Sequence, residues 1–381
     1  MSSENTRAPE RCNSETDSVG VQILNREDLF SKVHNLPCGL SNLGNTCFLN
    51  SCVQLLNYTY ELGNISFNCK IQDTKKSNDQ NVFCDWQELR DFMMDIRGKI
   101  STPIVTPGKF VKTIHDVAQI KGRDLFTGWA QNDLPEFLLF MIECMHNSMK
   151  RSVNIDVRGS IESSVDDLAL QCYTMLKTEY ARGEYSEISN IFYGVYVSRL
   201  FNPDSNILHS NKPESYSMID LPIPVHNRME NDINPISLID CFDIFVADEL
   251  LSGWFNEKTN CSESVKKNIA FWSFPTILII VLKRYSPDGR HKNISLVDFP
   301  LDNLDLSKYV IGYKASSYKY KLFGVANHMG GISGGHYTAF AQPNGDKWYC
   351  FNDSNVCEIP NKSLKNVIVS SSAYCLFYRK I

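Results

Sequence analysis

An α+β architecture is the fold class this sequence predicts, and three observations predict it. From about residue 36 to 185 the apolar residues recur at helical spacing, and from about 190 onward β-branched and aromatic runs dominate. The two patterns also follow one another in blocks, which argues against alternating units around a parallel sheet. With 381 residues, 43% of them hydrophobic, the chain can bury a large core, as one elaborated domain or two. No internal repeat is evident.

Residues 1 to about 35 are polar and Ser/Asn/Glu-rich at first, with a weakly apolar patch at Val19 to Leu24, and read as a mostly disordered tail. The start, Met1 to Glu10, lacks the apolar stretch of a signal peptide. The first strong element follows the run Gly39-Leu-Ser-Asn-Leu-Gly-Asn-Thr-Cys47, where a glycine-containing loop becomes a helix. Phe48, Leu49, Cys52, Val53 and Leu56 are spaced for one helical face, and Asn45 or Thr46 is the expected N-cap. Cys47 then stands in the first turn, where backbone N–H groups and the positive end of the helix dipole are expected to favour thiolate and lower the thiol's pKa. A buried structural cysteine would occupy the same position, so the rest of the chain has to decide.

Further helices are expected at Asp85–Ile96, at Pro107–Ile114, after Asp133 and across Ile161–Tyr180. In the third of these, Asp133 as N-cap and Glu136 at N3 form a capping-box-like pair, and Pro135 falls in the first turn, where its missing N–H costs little. Among the strands, Pro275 to Leu282 is a short continuous apolar run that reads as a buried strand; it is far too short to cross a bilayer. Asn327-His-Met-Gly-Gly-Ile-Ser-Gly-Gly-His336 then carries four glycines to one histidine at the start of an alternating strand. Such a loop suits close approach to another chain and movement, which a core histidine does not need. His328 fits a structural role or the wall of that loop. The next strand, Lys347-Trp-Tyr-Cys-Phe-Asn352-Asp353, ends in an amide and a carboxylate; a hairpin would bring one of the two beside His336.

Together these residues make a nucleophile, a base and an orienter. His336 would take the Cys47 proton and return it to a leaving amine, while Asn352, or else Asp353, holds the ring in the useful tautomer. Asn42, in the loop before the cysteine, is a candidate oxyanion donor, a role worth about 3 kcal/mol of barrier, or else a turn residue holding its own loop.

At this point the sequence resembles the catalytic domain of the ubiquitin-specific protease family of deubiquitinating cysteine enzymes. The run from Gly39 to Asn50 is similar to the family's cysteine box, and Gly334–Ala339 with Trp348–Ser354 to its histidine box. Gln131–Phe137 resembles its Gln-Gln-Asp-x-x-Glu-Phe segment, Pro275–Tyr285 its Leu-Lys-Arg-Phe strand and Ala373–Tyr378 its closing strand. These blocks stand in the family's order across roughly residues 36 to 381. The resemblance implies a papain-like fold with thumb (about 36–185), fingers (about 190–273) and palm (about 274–381). It implies hydrolysis of the bond after the C-terminal glycine of ubiquitin, with ubiquitin and ubiquitinated proteins as partners. The alternatives are a ubiquitin-like modifier as substrate and a catalytically silent ubiquitin-binding module. Asp133 and Glu136 would face the arginine-containing tail of ubiquitin, an arrangement suited to charge-assisted hydrogen bonds. Ser286–Asn293 and Met329–Gly335 correspond to loops that overhang the tail channel and would gate it. Tyr285 and Tyr337 are then candidate tail contacts, or packing aromatics.

Many members of that family hold zinc with two Cys-x-x-Cys pairs in the fingers; here both pairs are missing and only Cys261 remains where the second would fall, so no metal and no cofactor is expected. The formal charge of −5 and the lack of a long Lys/Arg cluster argue against nucleic acid as a partner. Thirteen cysteines without evident pairing point to reduced thiols and hence to an intracellular protein, cytoplasmic or nuclear. A monomer without membrane contact is the expectation.

Overall fold

Small residues decide where the cysteine helix sits. The computed structural model describes residues 36–381 apart from 69–76, 225–234 and the single positions 258, 287, 289, 332, 333 and 344; the polar tail 1–35 lies outside the described residues. The helices are α1 (Cys47–Asn57), α2 (Tyr60–Asn68), α3 (Asn78–Ile96), α4 (Gly108–Ile120), α5 (Leu134–Met149), α6 (Ser164–Ala181), α7 (Glu187–Phe192), α8 (Leu238–Val246) and α9 (Leu364–Ile368). All eleven residues of α1 are buried, including Asn50, Gln54 and Asn57. A helix buried on every side must find partners for its polar side chains: Gln54 Nε2 donates to the Cys38 carbonyl at 2.8 Å and Asn50 Nδ2 to Asp353 at 2.8 Å.

The strands, in chain order, are β1 (Gly39–Leu40), β2 (Ile104–Val105), β3 (Gly194–Phe201), β4 (Leu208–Tyr216), β5 (Ile219–Pro222), β6 (Ile236–Ser237), β7 (Glu249–Asn256), β8 (Cys261–Ser273), β9 (Ile277–Lys283), β10 (Val297–Asp298), β11 (Leu304–Asp305), β12 (Lys319–Gly331), β13 (Gly334–Ala341), β14 (Trp348–Asn352), β15 (Asn355–Ile359) and β16 (Ala373–Lys380). An eight-stranded sheet runs β15-β14-β13-β12-β16-β9-β5, with β11 added to β12. Its pairs are antiparallel except β5 on β9. One face carries Ala326, Ala339 and Ala341, which belong to the same core as Cys52, Leu55 and Phe48 of α1. At Gly324 an added Cβ would fall 2.6 Å from Leu55 Cδ2, so Leu55 of α1 packs directly onto the strand at the place where it has no side chain.

The buried strand β9 serves two cores at once. Ile277, Ile279 and Val281 face the helical side with α1 and α5, and Leu278, Ile280 and Leu282 face a second core with Leu238, Cys241 and Phe242 of α8. Both faces are covered, which is why the sequence reads as an unbroken apolar run rather than an alternation. A separate antiparallel sheet, β4-β3-β8-β7, projects from this body, and α6 packs Leu168, Ala169 and Cys172 on Val195, Val197 and Trp272 at its base. Cys261 is exposed at the start of β8, opposite Asn256. Among the described residues no three His, Cys, Asp or Glu side chains cluster as metal donors, and no helix is long and apolar enough to cross a membrane.

The expected helices form, with α3, α4, α5 and α6 starting or ending a few residues away from the expected spans. The sequence reading expected no helix at α2, α7, α8 or α9, and the extent of the projecting sheet also differs. β5 and α8 fall within residues 190–273 yet belong to the large sheet and its second core, so the chain leaves the projecting sheet and returns to it. The signal for α8 was present as Ser237-x-x-Asp240: Asp240 N donates to Ser237 Oγ at 3.1 Å and Ser237 N to Asp240 Oδ2 at 2.8 Å.

Candidate active site

Three segments distant in sequence meet at the N-terminus of α1. Asn42 organises the first: its Oδ1 accepts from the N–H of Gly44 (2.9 Å), the N–H of Thr46 (3.2 Å) and the Thr46 hydroxyl (3.2 Å). Thr46 is the N-cap residue, but its side chain makes no cap hydrogen bond and instead accepts from Leu43 N at 2.9 Å. Asn45 and Gly44 take left-handed backbone, φ 56° and 105°, which turns the loop into the helix. Cys47 ends up 3% exposed.

That burial overturns one expectation. The Cys47 thiol is pushed above its ordinary value, first by desolvation and also by the nearby Asp353 carboxylate, while the N–H groups of Tyr337, Phe48 and Cys47 itself pull the other way. A helix N-terminus favours thiolate, but taking the sulfur out of water costs more.

The second segment is the hairpin β13–β14. Ala341 pairs with Tyr349 and Ala339 with Phe351, which carries Asn352 back alongside the start of β13. His336 Nε2 and Asn352 Oδ1 are 2.7 Å apart. Because an amide oxygen only accepts, Nε2 carries the proton and Nδ1 is left with a lone pair. Asp353, the neighbouring candidate, sends its oxygens elsewhere: Oδ2 accepts from Asn42 Nδ2 at 2.9 Å and Oδ1 from Asn50 Nδ2 at 2.8 Å, while its carbonyl accepts from Leu40 N at 2.9 Å. Its φ of 51° separates its direction from that of Asn352.

The third segment is the start of α5. Here the capping box does not form: Asp133 is the N-cap without a side-chain cap bond. Its carboxylate instead accepts from Tyr337 Oη at 2.8 Å and Tyr374 Oη at 3.1 Å. Burial holds its pKa above the usual carboxylate range, opposed by those two hydroxyls. The two phenols come from β13 and β16, and the first-turn N–H of Leu134 donates to Tyr337 Oη at 3.4 Å. Glu136 is exposed.

Further residues complete the site: Gln131 and Lys292, to which the sequence reading gave no role of their own, and His328, read there as structural or as loop wall. Gln131 clamps the histidine strand, accepting from Gly335 N at 2.8 Å and donating to Gly335 O at 3.0 Å. His328 stacks on Tyr337 with centroids 4.4 Å apart and hydrogen-bonds Tyr285 Oη. Burial, the Lys292 ammonium and His336 drive His328 down to about 4, so it is neutral at neutral pH. Lys292 Nζ donates to His328 O at 2.8 Å and Gly330 O at 3.0 Å, tying together the two segments expected to overhang the channel. Residues 287, 289, 332 and 333 of those segments lie outside the described residues. The position of Gln131 in the Gln-Asn-Asp block and of Tyr374 in the closing strand were the available signals.

These groups line a cleft of about 200 Å³ bounded by Cys47, Gln131, Asp133, Tyr285, His328, Gly335 and Tyr337. A groove of about 260 Å³ shares Asp133 and Tyr285 with it and extends past Glu136, Leu139, Met218 and Asp220. Three carboxylates and the exposed Lys283 border the groove. Its one arginine, Arg284, is buried and donates to the carbonyls of Ala373, Asn293 and Ser295.

The chain is similar to known proteins along most of its length. The chain is 30% identical over 352 residues to the ubiquitin carboxyl-terminal hydrolase Usp2 of Drosophila melanogaster, covering 90% of this chain and 35% of that protein. It is 29% identical over 366 residues to human ubiquitin carboxyl-terminal hydrolase 2, covering 93% of this chain and 56% of that protein. It thus spans about half or less of the length of these relatives. Its fold is similar to that in two structures of the SAGA DUB module of Ubp8, Sgf11, Sus1 and Sgf73, one bound to monoubiquitin and one to ubiquitin aldehyde, with TM-scores of 0.65 and 0.64 at 21% identity, covering 90% of this chain and 69% of that chain. The family model described as ubiquitin carboxyl-terminal hydrolase matches residues 38–378, nearly the whole described chain, and the protein belongs to that family.

Proposed function

We propose that this chain is a cysteine-type deubiquitinase that hydrolyses the isopeptide bond after the C-terminal glycine of ubiquitin. The observation that carries the reading is the 2.7 Å contact of His336 Nε2 with Asn352, on a strand whose next residue, Tyr337, directs its N–H at the Cys47 sulfur. Nδ1 takes the thiol proton as the sulfur attacks the glycine carbonyl, then returns it to the departing lysine amine. Asn42 donates one of its two amide hydrogens to Asp353, and the other stabilises the oxyanion. Water activated by His336 then opens the thioester and releases ubiquitin. Because burial favours the thiol form of Cys47, His336 has to take its proton for the sulfur to attack.

The groove supports a basic tail as the bound segment: the carboxylates of Asp133, Glu136 and Asp220 outnumber its two cations, the exposed Lys283 and the buried Arg284, whose guanidinium is turned to backbone carbonyls. Tyr285 and Tyr337 wall the entrance, and the narrow cleft favours the side-chain-free diglycine end. No disulfide joins the described cysteines, which suits a reducing compartment, cytoplasmic or nuclear.

The test is intact mass and peptide mapping after mixing the purified chain with ubiquitin carrying a C-terminal electrophile. A single adduct on Cys47 is expected. No adduct from folded protein, or an adduct only with a ubiquitin-like modifier, would overturn the assignment to ubiquitin.

A further inference from the structure

A pair of cysteines beside the site takes no part in that chemistry. In the antiparallel pair β14–β15, Cys350 stands directly opposite Cys357, one pair removed from Phe351 opposite Val356 and two from Asn352 opposite Asn355. Opposite residues in such a ladder project to the same face with Cα atoms about 4.5 or 5.5 Å apart, and both spacings lie within the reach of a disulfide. The two thiols are in hydrogen-bonding contact, and both are free. Cys357 is exposed while Cys350 is half-buried. An oxidant therefore meets one sulfur from solvent and finds the other already beside it.

We propose that Cys350 and Cys357 are a peroxide-responsive thiol pair that closes to a cross-strand disulfide and fastens the hairpin carrying Asn352 and Asp353. In the first step the Cys357 thiolate attacks hydrogen peroxide; the O–O bond breaks, a sulfenic acid forms, and the hydroxide released takes a proton to become water. In the second, the Cys350 sulfur attacks the sulfenic sulfur. The S–S bond forms, the S–O bond breaks, and the Cys350 proton leaves with the hydroxide as a second water. Two thiols give up two electrons, and one peroxide becomes two waters. Burial and the neighbouring sulfur push the Cys350 thiol up to about 12, so the exposed Cys357 is the sulfur that meets peroxide first, and Cys350 gives up its proton only as it attacks the sulfenic sulfur held beside it.

The location gives the bond a consequence. Cys350 and Asn352 are alternate residues of one strand and share a face, and residue 353 follows with two hydrogen bonds from the segment before Cys47 and one from Asn50 of α1. Closing the ring from 350 to 357 encloses that turn and removes the hairpin's freedom to fray.

The experiment uses the full chain with Cys47→Ala, so that oxidation of the nucleophile does not enter and no readout depends on turnover or on the proposed function. After treatment with hydrogen peroxide, free thiols are blocked with N-ethylmaleimide and the protein is digested with trypsin, which leaves both cysteines in the peptide Trp348–Lys362. That peptide is expected to lose two hydrogens, to carry no maleimide, and to recover both alkylation sites after dithiothreitol. Adding Cys357→Ser, an exposed position, is expected to abolish the bridge. Hydrogen exchange at residues 350–357 is expected to slow in the oxidised form. Full alkylation of both cysteines after peroxide, or pairing of Cys357 with a different cysteine, would overturn the pair; unchanged exchange would overturn the fastening.

Discussion

Cys47 is buried to 3% exposure beside a carboxylate, and its thiol is raised accordingly. Alkylation follows thiolate, so iodoacetamide labelling of the unliganded protein at Cys47 is expected to be slow at neutral pH and to climb with pH through and above the ordinary thiol range near 9; a plateau already reached at pH 7 would contradict the burial effect. Asn352, the orienter expected from the sequence, and Asp353, its alternative, are adjacent in the chain. They part company because residue 353 adopts a left-handed backbone, which leaves Asn352 against His336 and turns the carboxylate to Asn42 and Asn50. Asn352→Ala is therefore expected to lower kcat by about a hundredfold with KM little changed, measured with a fluorogenic ubiquitin substrate. A rise in KM at constant kcat would assign Asn352 to binding instead.

Between elements, close approach is what holds the catalytic segments together. β1 runs against the turn after β14: an added Cβ at Gly39 would meet the Ser354 carbonyl oxygen at 2.5 Å, and backbone cannot swing aside as a side chain can. Gly39→Ala is expected to destabilise the fold by about 1–3 kcal/mol, read as a lower melting temperature, with turnover falling because the cysteine loop is displaced from Asp353. Helix spans and the buried strand β9 were readable because their apolar spacing is a local property. The cap of α5 was not: the spacing of Asp133 and Glu136 fits a capping box, yet two tyrosines from β13 and β16 claim the carboxylate. A side chain chooses among partners by geometry, and those partners lie more than two hundred residues away.

Across the whole molecule, the helical lobe and the eight-stranded sheet enclose a cleft that runs from Cys47 into a groove bordered by carboxylates. Glu136 stands exposed on that border with its charge free to act at range. Glu136→Lys is expected to raise KM for ubiquitin substrates about tenfold and to leave kcat nearly unchanged, with the difference from the parent shrinking as salt is added. Equal KM at low salt would remove the groove from tail recognition. The sequence by itself determined the α+β order, the helix behind Cys47, the strand behind His336 and the candidate set, because periodicity, turn residues and contiguous motifs are written locally. Only the tertiary structure decided which amide faces the imidazole, where the Asp133 and Asp353 carboxylates go, and that the thiol is raised rather than lowered. Each of those depends on strand register, on one left-handed residue and on how far water is excluded, and none of these is a property of neighbouring residues alone.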